Sequence, residues 1–143
     1  KYFNIHWEGL VNNLGGDSQI AAQAVNAFIE SAAISQPSGK QNSTAAFQLP
    51  DLMLVEVGDR NLPINYANAF LKPIQQTRRQ TLMENSIEEL DKYSQKIRDA
   101  YGIDSRRAFF TVTDNKINNA ENLKSLADLQ NWVASQIAEV ADV

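Results

Sequence analysis

Cysteine is absent from the 143-residue sequence, and histidine occurs once, at His6. The first absence excludes disulfides, thiol nucleophiles and thiolate metal sites, and it fits a cytoplasmic protein. The second leaves no set of imidazoles from which a His-rich metal cluster is built. No apolar run is long enough to span a bilayer, and the N-terminus shows no basic patch followed by an apolar run and a cleavage site. A soluble protein with no membrane partner is therefore predicted. There is no long run of one charge sign. With 43% hydrophobic and 21% charged residues, the chain has the apolar surface for a core of one typical domain, spanning 1–143.

Catalytic motifs are equally scarce. No Gly-x-Ser-x-Gly elbow exposes a serine. Glu88, Glu89 and Asp91 cluster near a predicted helix start, where the helix dipole and solvent account for them better than an acid/base pair does. Gly39-Lys40 lacks the surroundings of a phosphate-binding Walker loop, because Ile34 stands where the first glycine belongs and Gln41 follows the lysine. No catalytic residue, metal or cofactor is predicted, and the chain is read as a non-enzyme. The first residue is Lys1 and the sequence enters directly on a strand-like segment, so processing or truncation is suspected.

What is present is an alternation of strand-like and helix-like segments. Residues 2–10 have the aromatic and β-branched content of a strand. Gly15-Gly16-Asp17 then breaks the chain, with Asp17 as N-cap of an Ala-rich helix from Ser18 to about Ile34. Its apolar stripe reads as Ala21, Ala24, Val25, Phe28 and Ala32. An extended stretch from Ala45 to Val57 is interrupted by Pro50 and stopped at Gly58-Asp59. Residues 60–85 look irregular. A helix is predicted from Ser86, with Glu89 as capping-box partner, a stripe of Ile87, Leu90, Tyr93, Ile97 and Tyr101, and Gly102 just past its end. A strand over Ala108–Val112 and a helix over Ser125–Val140, burying Leu126, Leu129, Trp132, Val133 and Ile137, complete the order. This suits an α+β domain with a small, mainly antiparallel sheet.

The net charge of −4 opposes indiscriminate phosphate binding, but the charge is uneven. Residues 36–80 carry five bases (Lys40, Arg60, Lys72, Arg78, Arg79) against three acids (Asp51, Glu56, Asp59), whereas residues 81–143 carry seven against eleven. An anion surface is thus expected in the middle third. The loop Gly39, Lys40, Gln41, Asn42, Ser43, Thr44 has chemistry suited to a sugar–phosphate backbone. Lysine is a mobile positive charge, glycine permits close approach, and amides and hydroxyls bond phosphate or 2′-OH oxygens. An ordinary polar turn has the same composition. Arg78 and Arg79 form a second candidate RNA contact.

Three ordered blocks carry a resemblance: Gly39-Lys40-Gln41 with a polar stretch and Ala45-Ala46-Phe47; Pro50-Asp51 with the apolar run to Val57; and Ala67-Asn68-Ala69-Phe70 followed by Lys72. Asn13-Leu14-Gly15-Gly16 upstream, and Leu126-Ala127-Asp128-Leu129 with Trp132-Val133 downstream, extend it. Together they resemble the backbone subunit of the type I-E CRISPR surveillance complex (Cascade), the CasC family. The resemblance begins well inside the family sequence and covers only its C-terminal part. It implies a partial RNA-recognition-motif-like (ferredoxin-like) palm, with 1–59 its second half, 60–85 an irregular loop, and 86–143 the C-terminal helices and strand. The partners implied are guide RNA, further copies of the subunit, other Cascade subunits, and target DNA through the guide. Pairing by the guide reads sequence in such a system, and protein holds backbone shape. Gly39, Lys40 and Gln41, with Asn42 and Ser43 beside them, are placed near guide phosphates. Phe70 is either a base-stacking aromatic or a buried anchor, and Asn68 ties down loop backbone.

A partial palm would leave a sheet edge and a helix face uncovered, which predicts self-association or a longer chain. An assembly domain with no RNA surface of its own is the alternative, in keeping with the acidic balance. An RNA-cleaving enzyme would have only His6 as a general base of its kind.

Overall fold

A computed structural model describes residues 1–35 and 48–141. The elements are α1 (Trp7–Asn13), α2 (Ser18–Ile34), β1 (Leu52–Val57), a 3₁₀ turn (Ala67–Phe70), α3 (Leu82–Tyr101), β2 (Arg106–Thr111), β3 (Glu121–Asn122) and α4 (Leu126–Ala141). This is a small α+β fold. Among the described residues the sheet has three strands, in the order β1-β2-β3. β1 and β2 are antiparallel, with Leu52 opposite Thr111 and Val57 opposite Arg106. β3 pairs parallel to β2 through Ala108 and Phe109, so the sheet is mixed, and the two-residue β3 was not legible in the sequence.

Alternation along β1 divides its side chains between two cores. Met53 and Val55 pack on a cluster formed by Val25, Ile29 and Val133 of α2 and α4, joined by Trp7 and Leu10 of α1. Leu52 and Leu54 face the other way, onto Phe109, Ile117 and Ile87 of α3. Helices therefore cover both faces of the sheet. Ala108, fully buried in β2, keeps the sheet surface low where α4 crosses it.

The strand expected over residues 2–10 is instead an extended lead-in followed by α1. Trp7 and Leu10 have helical spacing, and burying both against α2 outweighs the local β preference of the aromatic residues. Gly15 and Gly16, at φ +71° and +88°, make the turn into α2. The Asp17 side chain accepts a hydrogen bond from Ile20 N, as an N-cap should. The buried line of α2 is Ala21, Val25, Ile29 and Ala33. Ala24 and Phe28 lie outside it, and Phe28 meets Phe3 edge-on at 5.0 Å between ring centroids. The strand predicted from Ala45 begins at Leu52; residues 48–51 are not strand, and 45–47 lie outside the described residues.

α3 starts earlier than Ser86. The sequence contains two successive Ser/Thr-x-x-Glu patterns, Thr81 to Glu84 and Ser86 to Glu89, and the earlier one wins. Thr81 accepts from Glu84 N, Glu84 accepts from Thr81 N, and Asn85 Nδ2 donates to Gln75 O, which ties the first turn to the preceding segment. The Ser86 hydroxyl instead donates to Leu82 O, inside the helix. Gly102, at φ +59°, closes the C-terminal end as expected. The predicted apolar stripe is only half right. Ile87 is buried, but the line continues through Asp91, Ser94 and Arg98, while Tyr101 is 73% exposed. α4 buries Leu129 and Val133, and Leu126, Trp132 and Ile137 are partly buried around them, as their spacing indicates.

Candidate nucleic-acid interface

The polar line of α3 lies against the sheet, where it meets two charged strand residues. Glu56 of β1 stands directly opposite Arg107 of β2. Arg107 Nε is 2.9 Å from Glu56 Oε1, and Arg98 Nη1 is 3.7 Å from the same oxygen. The Arg107 contact lacks hydrogen-bond alignment at Nε, so it is a close ionic pair. Arg107 also donates from Nη2 to Ser94 Oγ at 2.9 Å, and Arg98 donates from Nη2 to Ser105 O at 2.8 Å. Burial pushes the Arg107 pKa below its ordinary value, and Glu56 acts in the opposite direction. Next to this cluster, Asp91 accepts from both Asn118 N (3.0 Å) and Asn118 Nδ2 (2.6 Å), fixing the loop before β3.

The same carboxylate reaches outward. Tyr66 donates its hydroxyl toward Glu56, 3.0 Å from Oε1 and 2.9 Å from Oε2. That bond holds the 3₁₀ turn against the end of β1. Asn65 Oδ1 accepts from Ala67 N at 2.8 Å, and Asn85 secures Gln75 further along. The segment read as irregular is thus pinned at several points between β1 and α3.

Burial raises the Tyr66 pKa from 10.0 to about 12, with the Glu56 charge and hydrogen bond adding to it. The phenol is kept neutral in the fold, so its contribution to stability is complete below pH 10.0 and is lost as pH climbs toward about 12. Urea titrations across that interval should show stability falling more steeply for the wild type than for Tyr66→Phe. Parallel curves would mean that the phenol bond adds nothing.

Between the pinned segment and α3 lies an open groove of about 740 Å³. Asn68, Lys72, Thr77 and Gln80 line one wall, and Asn85, Lys92, Tyr93 and Lys96 the other. Lys92 is neutralised by Glu88 at 2.8 Å and Glu89 at 3.0 Å, which puts those carboxylates on a solvated face as anticipated. Asp91, grouped with them in the sequence, is buried instead.

The sequence-derived sites fare differently. Gly39, Lys40, Gln41, Asn42 and Ser43 lie outside the described residues. Arg78 and Arg79 are exposed in the middle of a turn closed by Thr77 N on Gln80 O (3.0 Å) and Gln80 N on Thr77 Oγ1 (3.1 Å). Phe70 is 44% exposed, which removes the buried-anchor reading. Loop backbone is tied by Asn65, the role expected of Asn68. His6 is an exposed residue 3.1 Å from Glu8. The Glu56 cluster was missed. Its signal was Glu56 inside the apolar run of β1 and the Arg106-Arg107 pair at the start of the second strand, but only the register shows that Glu56 and Arg107 are opposite.

No described helix is long and apolar enough to cross a membrane. The fold is that of chains in solved CRISPR assemblies. Over 92% of its length the chain is similar, at 32% identity and a TM-score of 0.79, to half (50%) of a chain in a structure titled "CRISPR RNA-guided surveillance complex". A second, titled "CRISPR RNA-guided surveillance complex, pre-nicking", matches at 31% identity and a TM-score of 0.77, over 93% of this chain and 36% of that one. The chain therefore spans half or less of these solved relatives. No curated protein matches it. Residues 1–137 match the model of the CT1975-like protein family, and the chain belongs to that family.

Proposed function

We propose that the chain is the C-terminal part of a non-catalytic backbone subunit of a type I-E CRISPR surveillance complex, of the CasC kind. It binds guide RNA, polymerises along it, and supports target DNA recognition through guide pairing. In this reading, residues 1–59 are the second half of an RNA-recognition-motif-like palm, 60–85 is the connecting segment whose last residues open α3, and 86–143 supply the C-terminal helices and strand. The observation that carries the proposal is the 0.79 TM-score at 32% identity to a chain of an RNA-guided surveillance complex. The family match over residues 1–137 adds to it, as do the Gly39-Lys40-Gln41 and Ala67-Asn68-Ala69-Phe70 blocks.

Gly39, Lys40, Gln41, Asn42 and Ser43 are the proposed guide contacts, with Arg78 and Arg79 as secondary ones. A backbone-holding protein gains affinity from phosphates and 2′-hydroxyls, so one lysine contributes modestly and without regard to sequence. Lys40→Ala in the intact protein should weaken guide RNA binding and lower the salt slope by about 0.7 for a single strand. If neither the affinity nor the slope changes, the assembly domain without an RNA surface becomes the better reading. The non-catalytic part is tested separately: labelled RNA incubated with the protein without metal should remain intact, and metal-free cleavage products would overturn it.

A further inference from the structure

The groove between the pinned segment and α3 carries more charge than the guide-loop reading uses. Among the described residues, none of Lys72, Arg78, Arg79 and Lys96 forms an ion pair. All four are exposed. Lys72 and Lys96 line opposite walls, and Arg78 and Arg79 occupy the turn between two other lining residues, Thr77 and Gln80. The nearby acids are committed elsewhere, Glu88 and Glu89 to Lys92 and Glu84 to the helix cap. The groove and its rim therefore hold five cations (Lys72, Arg78, Arg79, Lys92, Lys96) against two lining carboxylates (Glu88, Glu89), on a chain whose net charge is −4. An acidic protein that concentrates unpaired cations around one concavity creates a local positive potential for an anion.

We infer that this groove is a binding site for the sugar–phosphate backbone of a single nucleic-acid strand, separate from the Gly39–Ser43 loop. The inference rests on the RNA-binding reading above and extends it to a second surface. The lining supplies what such a strand needs besides charge. Asn68, Thr77, Gln80 and Asn85 bring amide and hydroxyl groups to the walls. Phe70, 44% exposed at the end of the 3₁₀ turn, does not line the groove itself but stands between two lining residues, Ala69 and Leu71, so an aromatic ring is available at the rim for a base to stack on. An acidic peptide would use the lysines and arginines but leave that ring without a role. The Tyr66–Glu56 bond holds the segment in place, so the cations are presented on a fixed wall.

The test uses fluorescence anisotropy of the full chain with labelled oligouridylate and with oligodeoxythymidylate of the same length, over a range of salt. The Lys72→Ala/Arg78→Ala/Arg79→Ala/Lys96→Ala variant should bind more weakly, with the salt slope reduced by about 0.7 for each phosphate no longer neutralised, up to ~2.8. Phe70→Ala should weaken binding at least about fivefold with little change in slope. Loss for both oligonucleotides assigns the groove to backbone phosphates of either strand type, and loss for RNA alone assigns it to a strand read through its 2′-OH. Matching circular dichroism and urea midpoints exclude unfolding as the cause.

A slope unchanged in the fourfold variant but reduced by Lys40→Ala would overturn the groove site and leave the guide-binding reading intact. If neither variant changes binding, both fall. RNA affinity retained together with loss of subunit assembly would give the groove to an acidic protein partner, which also overturns the inference.

Discussion

Glu56→Ala should lower the unfolding free energy by about 3 kcal/mol, because it leaves buried cations without their counter-ion. The Arg107 side chain is 0% exposed and that of Arg98 8%, and both face the one carboxylate. Glu56 is itself 21% exposed, so water offsets part of the loss and the lower end of the ~3–5 kcal/mol range for broken buried pairs applies. The melting temperature should fall by roughly 10 °C. Removing the cation as well should reverse much of this: Glu56→Met/Arg107→Met is expected to be more stable than Glu56→Ala alone, since no buried charge is then stranded.

The change also has a local readout. Tyr66 loses its acceptor, so the amides of Ala69 and Leu71, bonded to Tyr66 O and Asn68 O, should exchange faster while the protein is still folded. A loss under ~0.5 kcal/mol, the range of an ordinary surface substitution, would show that the cluster does not hold the sheet to α3.

The second large effect is expected at Phe109, 1% exposed at the centre of β2. Its ring packs with Ile87 of α3, Ile117 and the β1 leucines, and its carbonyl accepts from Leu123 N at 2.8 Å. Phe109→Ala opens a cavity at the one place where α3, both long strands and the loop before β3 converge. It should cost about 3–5 kcal/mol. Against a total of roughly 5–15 kcal/mol for a domain, that leaves little margin. Phe109→Leu, which keeps most of the volume, should cost about 1.5 kcal/mol or less. Urea unfolding with an unchanged m-value reads both. If Phe109→Ala cost no more than the leucine variant, this second core would not be a core. Because α3 is one wall of the groove, the alanine variant should also lose the groove's shape before β1 and α4 separate.

Local chemistry made much of the chain legible. Asp17 as a cap, Gly102 as a terminator, the apolar run of β1 and the Leu129/Val133 stripe each depend on neighbours within about one or two helical turns. Short-range rules fix such features wherever the rest of the chain goes. Residues 2–10 defeated the same reasoning, because Trp7 and Leu10 satisfy a strand composition and a helix spacing alike. Only the presence of α2 and α4 beside them selects the helix. The choice between Thr81 and Ser86 as the start of α3 was likewise open locally and was closed by Asn85 reaching Gln75.

The site divides in the same way. That positive charge gathers in the middle third, and that Ala67-Asn68-Ala69-Phe70 stands just before Lys72, is written in the order of residues. That Lys96, on a predominantly acidic half of the chain, faces Lys72 across one groove is not, because helix rotation and the course of the 60–80 segment have to be known first. Sequence alone determined the Asp17 cap, the Gly102 terminator, the cores of β1 and β2 and the uneven charge, since each follows from residues a few positions apart. Tertiary structure alone decided that Glu56 and Arg107 are opposite, that Arg98 joins them from α3, and that Tyr66 reads their position out to the groove. Those pairings join residues ten or more positions apart, and burial sets their strength, a quantity that no single segment possesses.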